Sequence, residues 1–112
     1  MTFTVNNVCL RLKIINVTKI ESEKYLERKF TAAAKRLKGK ALKFWCLSFT
    51  GMPDRIVLLP GGKIGFAEIK TTGKTPSPRQ RIVIARLRSL GFIVEVIDRA
   101  EQIEEFYNKL LK

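Results

Sequence analysis

The chain has 112 residues, enough for one domain with a modest core and too few for two. Its 22 Lys and Arg against 10 Asp and Glu leave a formal charge of +12, which favours a polyanionic partner, nucleic acid ahead of an anionic membrane. It contains no histidine, which excludes a histidine general base, a Ser-His-Asp triad and any zinc site built on imidazole.

A hydrophobic share of 46%, arranged in periodic segments, argues for a folded protein. Cys9 and Cys46 lie far apart without metal-ligand spacing and read as reduced thiols of an intracellular, cytoplasmic chain. No apolar run approaches the roughly 20 residues of a membrane span, and the start lacks a secretory pattern.

Residues 1–17 read as an N-terminal extension and 18–112 as the domain proper. Within the extension, residues 8–15 alternate and are partly β-branched. They suit an added edge strand, then an arm toward a partner chain, then a loose extension, in that order. The spacing predicts a helix over 19–37, with Thr18 as N-cap and Glu21 and Glu23 at its positive end. Tyr25, Leu26, Phe30, Ala33, Ala34 and Leu37 give it one apolar face, Arg28 and Lys35 lie opposite, and Gly39 reads as its stop. Residues 41–47 predict a short buried strand, with Phe44 and Trp45 assigned to the core ahead of a base-stacking surface, the alternative being that one of them faces a groove.

The most informative stretch comes next. Two strands are expected over 55–59 and 63–70, joined by a turn in which Gly61 and Gly62 permit positive φ. Strand alternation puts Glu68 and Lys70 on one face with Ile64 and Phe66, and Ala67 and Ile69 on the other. Asp54, just before the first strand, falls beside Glu68 across the hairpin. Taken singly, Asp54 suits an Asp-initiated turn, and Glu68 with Lys70 suits a solvated ion pair. Together, two carboxylates and an ammonium suit a divalent cation that activates water. The Ile69 carbonyl adds a possible oxygen ligand, and an all-oxygen set favours Mg²⁺ or Mn²⁺ over zinc.

A polar loop over 71–76 carries Lys74 and leads to Ser77 as a cap, with Pro78 at the first helical position. The helix that follows runs to Leu90, with Ile82, Val83, Ala85, Leu87 and Leu90 as its apolar positions. A strand over 92–97 and a terminal helix over 100–111, capped by Asp98, complete the chain. Ile103, Phe106, Tyr107 and Leu110 form the packing stripe of that last helix.

Gly51, Pro53, Asp54 and Arg55, the Gly61-Gly62 hairpin, Glu68 and Lys70, and Ser77, Pro78 and Gln80 entering a helix form a succession. Over about residues 21–98 it resembles the virus-type replication-repair nuclease (VRR-NUC) domain, a branch of the PD-(D/E)xK nucleases. The resemblance implies an α/β, restriction-endonuclease-like core: a small mixed sheet flanked by helices. It also implies a divalent-metal-dependent DNA endonuclease with no small-molecule cofactor. Carried over to this chain, Asp54, Glu68, Ile69 and Glu23 are the metal ligands, Glu23 being preferred to Glu21 because residues 23–26 match the family's helix motif. Lys70 then positions or deprotonates the attacking water, and Gln80 orients Lys70 or contacts phosphate. Arg28, Lys35, Arg55, Lys74, Ser77, Arg79 and Arg81 are expected to hold nucleic acid. Minimal family members look like phage or prophage proteins that act as homodimers on branched DNA, which implies Holliday-junction cleavage. The alternatives are a non-catalytic basic module for structured nucleic acid, or a nuclease for flaps, nicked ends or RNA.

Overall fold

The computed structural model describes residues 19–112, so the strand expected over 8–15 and the cap expected at Thr18 lie outside the described residues. The elements are α1 (Glu23–Arg36), β1 (Lys40–Lys43), β2 (Arg55–Leu59), β3 (Lys63–Ile69), α2 (Pro78–Ser89), β4 (Ile93–Ile97) and α3 (Ala100–Leu111). The strands lie in the order β1-β2-β3-β4. The first three pair antiparallel, and β4 joins β3 in parallel after the α2 crossover. A mixed four-stranded sheet is thus covered by α1 and α3 on one face and α2 on the other, the α/β architecture expected.

The larger core lies between the sheet and the pair α1 and α3. Leu26, Phe30 and Ala34 of α1 meet Val57, Ala67, Ile69 and Ile97 of the sheet and Phe106 and Tyr107 of α3. Phe30, Phe106 and Tyr107 form a triangle of rings with centroids 5.2–5.3 Å apart. The Tyr107 hydroxyl donates to the Phe30 carbonyl at 2.7 Å, and burial raises its pKa above the ordinary tyrosine value. The second core is smaller: Phe66, Ile84 and Val94, with Phe44, Met52, Ile56, Leu87 and Val96 packed around them.

Several local expectations need correction. Helix α1 begins four residues later than 19–37 implied. Ser22 is its N-cap, the hydroxyl accepting from the Tyr25 N–H at 3.1 Å. Gly39 is not the left-handed stop, because that conformation falls on Lys38 at φ 66°. A Cβ on Gly39 would instead run into the Leu58 carbonyl and the Leu59 side chain, so glycine here permits close approach of α1's exit to β2. The hairpin is as expected, with Gly61 and Gly62 at φ 86° and 72°.

Strand β1 ends at Lys43, and Trp45 is 81% exposed rather than in the core, whereas Phe44 does pack against Phe66. The apolar contact of α2 runs through Val83, Ile84 and Leu87, while Ile82 and Leu90 face solvent. Arg99, not Asp98, occupies the N-cap position of α3. The Gln102 side-chain oxygen accepts from the N–H groups of both Asp98 and Arg99, so that corner is tied from inside the helix. Among the described residues, no helix is long and apolar enough to cross a membrane.

Candidate active site

The hairpin β2–β3 builds the site. Pro53 is fully buried, and the Asp54 carbonyl accepts from the Phe44 N–H at 2.8 Å, which fixes the Pro-Asp step against the end of β1. The Asp54 N–H donates to Glu68 Oε1 at 3.1 Å, and the Ile69 N–H donates to Asp54 Oδ1 at 3.2 Å. Each carboxylate therefore grips the backbone beside the other. Lys70 Nζ stands 3.2 Å from Glu68 Oε2, and the Lys70 N–H donates to the Ile97 carbonyl, continuing the β3–β4 ladder by one residue. Glu68 is the one buried charged residue among those described, at 3% exposure. Burying it requires these partners.

Asp54 is pushed up to about 7. Burial is the largest cause, followed by the Glu68 charge; the Ile69 N–H works against the shift, and Glu27 and Glu23 add smaller repulsions. Three carboxylates thus act on Asp54 through their charge, Glu68 most strongly. Glu27 escaped the sequence reading, although it lies four residues after Glu23 on the same face of α1, and that spacing was the available signal. Glu27 Oε1 lies 3.7 Å from an Arg55 terminal nitrogen, and the Arg55 Nε is buried without a hydrogen-bond partner among the described residues. Arg55 is consequently folded into the protein beneath Glu27, not displayed as a free phosphate contact.

Glu21 has a different task from Glu23. Its Oε1 accepts from the Ala100 N–H at 2.9 Å, so it satisfies the first turn of α3. Glu23 is exposed and free of that task. Gln80 completes a capping box with Ser77: its side-chain oxygen accepts from the Ser77 N–H at 2.9 Å while Ser77 Oγ accepts from the Gln80 N–H at 3.1 Å. The Lys70 ammonium is paired with Glu68 and not with Gln80. Arg28, Lys35, Lys74, Ser77, Arg79 and Arg81 are all exposed. Arg79 packs over the Phe49 ring, and its Nε donates to the Thr50 carbonyl at 3.3 Å, which docks the loop before Asp54 onto the start of α2. A groove of about 570 Å³ between α1 and α3 shares no lining residue with the carboxylates.

Among the described residues, no three His, Cys, Asp or Glu side chains stand close enough together to form a ready-made metal cage. The donor chemistry nonetheless fits a hard cation. Asp54 and Glu68 are oxygen donors held in place by backbone N–H groups, with two further carboxylates nearby and a raised Asp54 pKa that a cation would reverse. Water would supply the remaining oxygen ligands.

The VRR-NUC domain family profile matches residues 8–100, starting inside the segment that the sequence reading set apart. A solved structure described as a VRR_NUC domain superposes with a TM-score of 0.72 at 26% identity, covering 79% of this chain and 97% of that one. The "Putative nuclease p44" of Acyrthosiphon pisum secondary endosymbiont phage 1 is 41% identical over 76 residues, which is 68% of this chain and 82% of the phage protein. The chain belongs to the VRR-NUC domain family, and it is a nuclease by that membership. A nuclease domain has nucleic acid as its partner.

Proposed function

We propose that this nuclease is a divalent-metal-dependent DNA endonuclease, selective for branched structures and active as a homodimer on four-way junctions. The observation that carries the metal-dependent reading is the reciprocal hold between Asp54 and Glu68 with Lys70 paired to the latter. Asp54, Glu68, the Ile69 carbonyl and Glu23 would hold Mg²⁺ or Mn²⁺. When bound, the cation supplies Lewis acidity toward the scissile phosphate and lowers the pKa of water.

The protein's own groups do the rest. Lys70, a quarter exposed and anchored by Glu68, orients the attacking water and offsets negative charge growing on the phosphate. Glu27 balances Arg55 and keeps the surrounding charge negative, so the site favours a cation over a bare phosphate. Gln80, at the head of α2, keeps its side-chain N–H₂ available for phosphate while its oxygen serves the capping box. Arg28, Lys35, Lys74, Ser77, Arg79 and Arg81 hold the backbone without reading sequence. Exposed Trp45, next in chain to the residue that hydrogen-bonds Asp54, offers a ring for an unstacked base. Branch selectivity and dimerisation rest on likeness to small family members, since a domain of this size has little surface with which to choose a substrate.

The test uses labelled four-way junction, linear duplex, nicked duplex, flap and single strand, in DNA and RNA forms. Each is incubated with Mg²⁺, Mn²⁺ or EDTA, using wild type, Asp54→Ala and Lys70→Ala. Paired, metal-dependent cuts in the junction that vanish in both variants are the expected result. Cuts confined to flaps, nicked ends or RNA would move the substrate and keep the site. Binding without cutting under every condition would leave a basic binding module.

A further inference from the structure

The start of α1 is held on the core side by Leu26 and Tyr25. Its first fully buried residue is Leu26, whereas residues 22–24 are exposed. Ahead of Tyr25 and Leu26, polar bonds fix where Glu23 stands, and they converge on two adjacent threonines directly after Lys70. Thr71 Oγ1 accepts from the Glu23 N–H at 3.1 Å. Thr72 Oγ1 accepts from the Glu21 N–H at 2.9 Å and donates to the Asp98 carbonyl at 2.6 Å, and the Thr72 N–H donates to the Glu21 carbonyl at 3.1 Å. Asp98 in turn accepts at Oδ2 from the Gly73 N–H at 3.1 Å, and Glu21 Oε1 caps Ala100. The exit of β3, the entry of α1 and the corner between β4 and α3 meet at one hydroxyl.

We propose that Thr72, assisted by Thr71, is a positioning residue for the metal site. It pins the entry of α1 so that Glu23 is delivered to the Asp54–Glu68 pair, from the same loop that follows Lys70. The proposal rests on the reading of Glu23 as a metal ligand. Its physical content is specific to the hydroxyl. Valine has nearly the shape of threonine but can neither accept from Glu21 nor donate to Asp98, whereas serine can do both. Partners that orient a ligand typically matter to metal affinity by about tenfold or more.

The experiment titrates Mn²⁺ into DNA-free protein by calorimetry, for wild type, Thr72→Val, Thr72→Ser, Thr71→Val and Glu23→Gln. Melting in EDTA is recorded for each. Thr72→Val is expected to weaken Mn²⁺ by about tenfold, with Thr72→Ser within about twofold of wild type and Glu23→Gln at least as impaired as Thr72→Val. A folded Thr72→Val with wild-type affinity overturns the positioning role while leaving Glu23 as a ligand, provided Glu23→Gln is impaired. Equal losses in Thr72→Val and Thr72→Ser overturn it too, because they would trace to the loop and not to the hydroxyl. Wild-type affinity in Glu23→Gln removes the ligand reading and the proposal together. Should Thr72→Val not fold, Thr71→Val decides: it deletes only the acceptor of the Glu23 N–H, and unchanged affinity there overturns the proposal.

Discussion

Asp54 and Glu68 hold one another through the backbone: the Asp54 N–H donates to Glu68, and the N–H one residue past Glu68 donates to Asp54. Each carboxylate is oriented by the strand that carries the other, so the pair is set when the hairpin is set. Both donors are backbone N–H groups, so replacing either side chain leaves the bond to the other in place.

Asp54→Asn separates charge from shape. Its side-chain oxygen can still accept from Ile69, but the negative charge is gone. Cleavage should fall by at least about a hundredfold, the scale of losing several kcal/mol of metal-centred stabilisation. Melting in EDTA at pH 8 should be equal to or higher than wild type, because the ionised Asp54 is the form the fold disfavours. A lower melting temperature would contradict the charge argument.

The same shift predicts a pH dependence. In the fold Asp54 keeps its proton up to about 7, against 3.8 as the reference value, so between these limits the native state binds the extra proton. Its contribution to stability is complete below pH 3.8 and is lost as pH rises to about 7. Wild type should lose stability relative to Asp54→Asn across that window in EDTA. The difference is read from paired denaturation curves, and parallel curves would reject it. Adding Mg²⁺ at pH 8 should restore wild type and leave Asp54→Asn nearly unmoved.

Lys38 and Gly39 invite a paired substitution. Lys38→Gly should gain up to about 1 kcal/mol by removing a side chain from a left-handed conformation. Gly39→Ala should lose about 1–3 kcal/mol, because its methyl group would press on the Leu58 carbonyl. Urea denaturation of both variants checks the signs, and a reversal would mean that Gly39 is the true stop.

Trp45 is the only tryptophan in the chain, so its fluorescence reports on one place. Saturating DNA in EDTA should quench it, and Trp45→Ala should weaken DNA binding by about 1–3 kcal/mol, the range for stacking on one base. Fluorescence that ignores DNA would assign the ring another role.

The hairpin, its Gly-Gly turn and the faces of Glu68 and Lys70 were legible in the sequence because each is set by neighbours two to fourteen residues away. The stripe of α3 was legible because Ile103, Phe106, Tyr107 and Leu110 meet one uninterrupted core. What misled were features decided by distant partners. Glu21 looks like a first-turn carboxylate of α1, yet it serves a helix that begins 79 residues later. Trp45 sits in an apolar run that reads as buried, but among the described residues β1 is a sheet edge, and it ends before reaching Trp45. Ile82 and Ile84 are indistinguishable by composition, and only the narrow contact of α2 selects Ile84. Glu27 hid among the charges of a basic helix until its approach to Arg55 and Asp54 gave it a place.

The division of the site between a hairpin and a distant helix also sets an order of assembly. Asp54, Glu68 and Lys70 meet across a short local loop, whereas the contacts that bring Glu23 in span 48 and 51 residues. Closing short loops is faster and costs less entropy than closing long ones. During refolding the acidic pair is therefore expected to form first, and competence to bind the ion to appear only when α1 arrives.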